Sequence, residues 1–249
     1  LVQAETPVIM AQYLGRNHET IPYLTMLAEL LALPVLDHHG RLNCPTNHPL
    51  NLTGSNLRES ADLILALDMS DLYGALTRRN PKTRRSSYVT PNGCKIVEIG
   101  LGDLGIKPWS QGFQRFQETD LSILADTSLA LPQLLELCQA RVHNNTSLQT
   151  RLERRAQALG KQHDSLIAGW QQQAQGNWDA QPIATARLAH EIWEVIKVED
   201  WTHAGSNLNN WIWRLWEFTN PTQHNGTSLG TSTQAGCSLG VALAHKDDG

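Results

Sequence analysis

The side chains here that could do chemistry are a few histidines, four cysteines and two glycine turns. His38 and His39 close an apolar run, His203 precedes Gly205, and His224 precedes Gly230. A lone imidazole is more often structural than catalytic, so no proton-transfer role is assigned. His203 and His224 stand out because each borders a glycine turn. Cys44, Cys94, Cys138 and Cys237 are far apart and form no CxxC pair. Zinc needs clustered ligands, so no metal site is indicated, and reduced, mostly buried thiols are expected.

Two segments invite an anion. "GLGDLG", Gly100 to Gly105, matches GxGxxG after an apolar run. A dinucleotide fingerprint needs a helix to open within the motif, and Pro108 and Gly112 oppose a long one there. A glycine-rich strand exit is the better reading. The second is "GTSLGTSTQAGCSLGVALAHK", a helix of small residues beginning near Ser232. Gly236 and Gly240 each cost about 1 kcal/mol relative to Ala, which calls for a packing or binding reason. Free amides in its first turn favour an anion by roughly 0.3–1 kcal/mol. Tight helix packing without a ligand explains the same residues equally well.

These segments need elements to position them. "PVIMA", "PVLDHH", "LILALD", "CKIVEIG" and "LSILAD" read as strands. Leu24, Leu27, Leu30 and Leu31 are spaced as a helix face, "NLRESAD" reads as a short helix capped by Asn56 or Ser55, and "TSLALPQLLELCQAR" as a longer one. Continuous apolar strands alternating with helices imply a parallel sheet covered on both faces. This domain is placed at residues 1–145. From Thr146 the chain turns polar and Gln-rich, predicting one or two surface helices that link domains over 146–180. A second globular part is expected over 181–249, with Ile183, Leu188, Ile192 and Val195 on one helical stripe. Seven of the eight tryptophans lie beyond Leu166. Their preferred role is helical core or subunit contact rather than ligand stacking.

Composition excludes some roles. A net charge of -4 argues against a nucleic-acid platform. The basic run Arg78 to Arg85 reads as a solvated loop in preference to a phosphate patch. No apolar run is long enough to span a bilayer. The triplets at Asn51 and Asn225 match a glycosylation pattern and are taken as chance, there being no signal peptide. Cytoplasmic residence is expected.

The order of segments resembles the thiamine-diphosphate-dependent enzymes of the acetolactate synthase and benzoylformate decarboxylase type. "AETPVIMAQ" resembles the opening of their central domain, "CPTNHPLNLTG" their proline-histidine-proline loop, and "ESADLILALD" and "CKIVEIGLGD" their strands. "EDWTHAGSNLNNWIWRLW" and "SLGTSTQAGCSLGVALAHKDDG" resemble the first loop of the cofactor-binding domain and the glycine turn and helix after it. The resemblance implies an α/β chain: a Rossmann-like central domain, then an incomplete thiamine-diphosphate-binding domain. It implies that Gly205, Ser206 and Asn207 lie near the diphosphate and that Gly230, Thr231 and Ser232 meet the pyrimidine. Many relatives place a bulky apolar side chain after the glycine turn, where this chain has Thr231-Ser232-Thr233.

The chain begins without Met in what reads as a last helical turn, and stops where a strand is expected. A fragment is therefore expected, itself without turnover. The activating Glu and the Mg2+ ligands would lie outside it. The intact protein would be a homodimer or homotetramer acting on a small 2-oxo acid, by decarboxylation or carboligation. FAD or an adenine nucleotide in the central domain is left open. The alternatives are a non-catalytic nucleotide-binding module built on the parallel sheet, and a regulatory or scaffold protein using its Trp-rich surface.

Overall fold

The structure is a computed structural model that describes residues 1–102, 115–205, 208–226 and 231–246. Its centre is a five-stranded parallel sheet. The strands are β1 (Pro7–Ala11), β2 (Val35–Asp37), β3 (Leu63–Leu67), β6 (Lys95–Gly100) and β7 (Leu121–Leu124), in the order β2-β1-β3-β6-β7. Beyond β2, Val35 makes an isolated parallel bridge to Asn51. With that bridge as a vestigial strand, the chain runs third, second, first, fourth, fifth, sixth across the sheet. That is the doubly wound order, whose connections reverse direction beside β1.

The central strands are apolar throughout because both faces are covered. Every residue of β1 is buried, as are Ile64 to Leu67 of β3. Helices α1 (Thr20–Leu31) and α3 (Thr127–His143) pack together on the sheet. The chain leaves α1 through Ala32 in the left-handed region, with φ 49°, and Pro34 then forces extended backbone into β2. Asp126 caps α3 by accepting from the Ser128 amide. The edge strand β7 is exposed along its length.

The solvated loop expected at Arg78 to Arg85 is exposed throughout and gains detail, and one other local expectation is corrected. The run Arg78 to Arg85 is the tip of an antiparallel hairpin, β4 (Thr77–Arg79) with β5 (Ser86–Tyr88), after the short α2 (Leu72–Leu76). Asn80 builds its turn by accepting from the Lys82 and Thr83 amides, a side-chain device that apolar periodicity does not reveal. The short helix after Asn56 is a single 3-10 turn, Leu57–Glu59, with no side-chain cap bond.

Polar residues 146–175 form one helix, α4 (Thr146–Gln175), capped by Asn145. Leu148, Leu152 and Leu159 on it enter the main core. Arg151 donates to the Val2 carbonyl, and Arg155 to those of Ala4 and Glu5.

The second part has α5 (Thr185–Ile196), the short α6 (Trp211–Leu215) and α7 (Thr231–Ala244). The expected stripe on α5 is corrected. Ile183, Leu188 and Val195 are exposed, while Ala186 and Ala189 are buried and Ile192, Trp193 and Ile196 pack on the second core. Small side chains let α5 approach closely enough for the Trp216 indole N–H to donate to the Ala189 carbonyl at 2.7 Å. That core comprises Leu42, Ile212, Trp213, Trp216 and Phe218. Leu42 belongs in sequence to the first domain. No helix among the described residues is long and apolar enough to cross a membrane.

Candidate functional site

The chain leaving β2 makes the contact between the two parts. Asp37 ends the strand with its carboxylate buried, and four donors converge on it. The His39 amide and the Asn43 side-chain amide reach Oδ1, both at 2.7 Å. The Asn43 and Cys44 backbone amides reach Oδ2 at 2.8 and 3.2 Å. Burial pushes the Asp37 carboxyl above its ordinary range, and these donors pull the other way. With both oxygens occupied it is a fold-organising acceptor rather than a base.

The turn so organised projects His39, Arg41, Leu42 and Thr46 at the second part. The His39 ring stacks on Trp213 with centroids 3.8 Å apart and planes within 6°. Thr46 and Phe218 exchange hydrogen bonds: the Thr46 amide donates to the Phe218 carbonyl, and the Phe218 amide to Thr46 Oγ1. His224 Nε2 lies 3.0 Å from the His39 carbonyl, and Arg41 Nη1 donates to the Asn225 carbonyl at 2.6 Å.

Of the four histidines singled out by sequence, three meet here. His203 and His224 are bridge partners on parallel segments, their rings 5.9 Å apart, and His224 meets Trp213 edge-on at 4.6 Å. His38 lies one residue from the stack. Burial holds His38 at about 4, His39 at about 3 and His224 at about 4. All three are neutral at neutral pH, as stacking and apolar surroundings require.

The bridge bears on the approach to Gly205. The His203 amide donates to the Gln223 carbonyl at 2.8 Å, so the segments entering Gly205 and leading from Gln223 to Gly226 run side by side. At Gly205 an added Cβ would meet nothing within 4 Å. The residue borders a cleft of about 420 Å³ lined by Asp200, Trp201, Ala204, Ser238, Ala242 and His245 among others. Residues 238–245, on that wall, are from the second half of α7 and its end. Ser206, Asn207 and Gly230 lie outside the described residues; Thr231 and Ser232 open α7. The small-residue face of α7 is largely exposed, and Cβ atoms at Gly236 and Gly240 would touch nothing.

A second cleft, of about 440 Å³, opens at the carboxyl ends of β1, β3 and β6. Tyr13, Arg16, Arg41, Asp68, Ser70 and Gly100 to Gly102 line it. Burial raises the Asp68 carboxyl, which accepts from Thr127 and pairs with Arg16. The rest of the GxGxxG match, Asp103 to Gly105, lies outside the described residues. Asn51 is buried, its amide donating to the Cys44 and Pro45 carbonyls, which leaves it unfit as a glycan acceptor. All four cysteines are free; Cys44 and Cys138 are buried, but Cys237 is exposed on α7. Among the described residues no group of three metal-ligating side chains occurs.

Sequence reasoning missed Asp37, Asn43, Arg41 and Trp213 as one unit. The polar "DHHGRLNC" directly after a buried strand was the available signal, but nothing in it names partners some 180 residues away.

No protein-family model matches the sequence, and no curated protein matches it. Solved structures do. One is a Mycobacterium smegmatis protein described as a thiamin diphosphate-dependent enzyme, with TM-score 0.62 and 15% identity, over 98% of this chain and 43% of that one. Another is benzoylformate decarboxylase from Polynucleobacter necessarius, with TM-score 0.67 and 16% identity, over 98% and 42%. This chain thus spans less than half the length of either. Over nearly all of its own length, it has the fold of the corresponding part of these thiamin diphosphate-dependent enzymes.

Proposed function

We propose that this chain is the central domain and the front of the cofactor-binding domain of a thiamine-diphosphate-dependent enzyme acting on 2-oxo acids. The reaction class is decarboxylation, carboligation or both, as in acetolactate synthase. The observation that carries the proposal is the parallel pairing of His203 with His224, in a chain whose fold matches such enzymes from end to end. It supports a shared half-site for the turns at Gly205 and Gly230.

The described residues leave open space at Gly205, but they bring the Asp200 carboxylate and the C-terminal half of α7 to the cleft, neither of which favours a diphosphate. The Gly205 cleft is lined by Ala204, Ser238 and Ala242 together with Asp200, Trp201 and His245, and at Gly205 itself a ligand can approach backbone closely. Among the described residues its lining contains no Lys or Arg, so the diphosphate charge would have to be met by a metal ion and by amides. Gly205, Ser206 and Asn207 would hold the diphosphate; Gly230, Thr231 and Ser232 would contact the pyrimidine. The Mg2+ ligands and the activating Glu would come from residues other than these. Bound thiamine diphosphate supplies the electron sink for breaking the bond next to a 2-oxo carbonyl. The chain's own part is to bind and orient it. The assembly would be a homodimer or homotetramer in the cytoplasm.

Calorimetric titration of the full-length product, which would supply the Mg2+ ligands, with thiamine diphosphate and Mg2+ tests this. Saturable binding that Gly205→Val abolishes is expected. The complete reading frame should also encode an upstream domain bearing the Glu and a downstream Gly-Asp-Gly motif. Absence of both, with no binding by the full-length product, refutes the proposal.

A second reading is a nucleotide-binding module. It is favoured by the first-domain cleft, which sits at the strand ends where open α/β sheets bind ligands and carries Arg16 and Arg41. Titration with ADP and FAD separates the two: nucleotide binding without thiamine diphosphate binding supports the module.

A further inference from the structure

We propose that the cleft between α4, α5 and α6 binds a neutral sugar of one or two pyranose rings. The inference is independent of the functional reading above, since it uses neither glycine turn nor the Gly205 cleft. At about 630 Å³ this cleft is larger than the two described above and of ordinary size for a ligand pocket. One wall is a face of α4, where His163, Ile167, Gln171 and Ala174 recur at helical spacing. Such a stripe, on a helix that packs against both α5 and α6, is ordinarily apolar. Here it carries an imidazole and an amide, and a cleft stands where apolar side chains would otherwise interdigitate.

The lining selects for hydroxyl groups. His163 is only 7% exposed, and its Nδ1 lies 2.8 Å from the Asn51 carbonyl. A carbonyl can only accept, so Nδ1 carries the proton and, in the neutral ring, Nε2 carries a lone pair. Among the described residues nothing donates to that lone pair, and a buried acceptor calls for a donor from a bound molecule. The exposed Glu217 carboxylate adds an acceptor, and the amide of Gln171 both donates and accepts. Arg214 adds donors from a guanidinium held over the Trp211 ring at 4.9 Å. The half-buried indoles of Trp178 and Trp193 supply apolar surfaces on which the C–H face of a sugar can lie, and Trp193 is braced by stacking on Trp216 at 6.1 Å. Charge argues for a neutral guest. Glu194 is paired with Lys197 at 2.6 Å, which leaves Glu217 and Arg214 to balance each other. An anion would meet the Glu217 carboxylate. A cation would meet Arg214, and over the Trp178 ring it would find Arg187 already seated at 5.5 Å. A wholly apolar guest would bury the amides and His163 Nε2 unpaired. A pyranose meets each requirement, with hydroxyls that donate and accept around its rim and an apolar face.

The test titrates the whole chain with glucose, galactose, mannose, maltose and cellobiose. Binding is read by tryptophan fluorescence and by saturation transfer from protein to sugar protons. Saturable binding of at least one sugar, with Kd at or below about 1 mM, is expected. Glu217→Ala, at an exposed side chain, should weaken it about ten-fold by removing a charged acceptor. Trp178→Ala should weaken it about ten-fold or more by removing a ring face. Tetramethylammonium and inorganic phosphate should not displace the sugar. No saturable binding of any of these sugars at about 10 mM, ten times that Kd, overturns the proposal. So does binding that neither substitution weakens, or tighter binding of either ion than of every sugar. Should Trp178→Ala not fold, Glu217→Ala alone decides.

Discussion

Acidification should unfasten this protein at its inter-domain histidines well before its carboxylates are titrated in bulk. His38, His39 and His224 are held by burial at about 4, about 3 and about 4, against an ordinary 6.5. The sign follows from which state takes the proton first. Below pH 6.5 the unfolded chain protonates these rings while the folded protein does not, so their stabilisation is whole above 6.5 and lost as pH falls toward 4. Each ring contributes up to about 1.4 kcal/mol per pH unit in that window. Moving from about pH 7.5 to 5.5 should then remove about 4 kcal/mol, a large part of the roughly 5–15 kcal/mol that holds a typical domain together. Asp37, Asp68 and Glu98, raised by burial, act in the opposite sense, because the folded protein takes their protons more readily. They blunt the loss only as pH nears their own range. Urea unfolding followed by tryptophan fluorescence measures it, with a midpoint drop of about 2 M expected over that interval. His224→Phe keeps a ring against Trp213 and cannot protonate, so it should reduce the pH dependence by about a third. A midpoint that does not move with pH, or one that moves equally in His224→Phe, refutes the reasoning.

Other substitutions test separate parts. Trp216→Phe removes the buried indole donor to the Ala189 carbonyl and should cost about 1–3 kcal/mol in urea denaturation. Gly226→Ala forces a side chain onto Arg41 at a positive φ; it should destabilise by about 1–3 kcal/mol and be partly relieved when combined with Arg41→Ala, a non-additivity a double-mutant cycle reads directly. Leu65→Ala, in the fully covered middle strand, should cost about 2–5 kcal/mol and lower the thermal midpoint of the first domain.

What the sequence made legible was what periodicity encodes. Both-face burial of β1 and β3 wrote itself as unbroken apolar runs, and other boundaries, at Pro34 between α1 and β2 and at Asp126 before α3, are set by proline geometry and side-chain capping, which act within a few residues. The α5 face was misread for a physical reason. Hydropathy gives Leu188 and Val195 the larger payload, yet the helix turns Ala186 and Ala189 inward because a bulky tryptophan needs room, and the partner's size is not written in the helix. The hairpin tip at Arg78 to Arg85 was missed because an asparagine side chain, not an apolar alternation, builds its turn.

Of the candidate site, the histidines were legible as single residues but their partners were not, because residue type is local while the contacts that use it are not. Gly226 looks in sequence like half of an ordinary Asn-Gly turn. Its requirement appears only when Arg41, from far earlier in the chain, is laid against it. The same holds for His203 and His224. Each is a lone polar residue near a turn until the parallel bridge makes them neighbours and Trp213 closes the face between them. The depressed basicity of His224 then has a structural cause: burial first, with the neighbouring His203 and His39 rings adding to it, while the bond to the His39 carbonyl and the Asp37 charge only partly pull the other way. The interface therefore selects neutral rings, and neutral rings serve here as packing. That places these histidines in the packed frame beside Gly205 rather than in proton transfer, and it makes the pH dependence a property of assembly. Binding of thiamine diphosphate to the wild-type chain should accordingly weaken between about pH 6.5 and 5 in step with the loss of stability, and not with an independent ionisation.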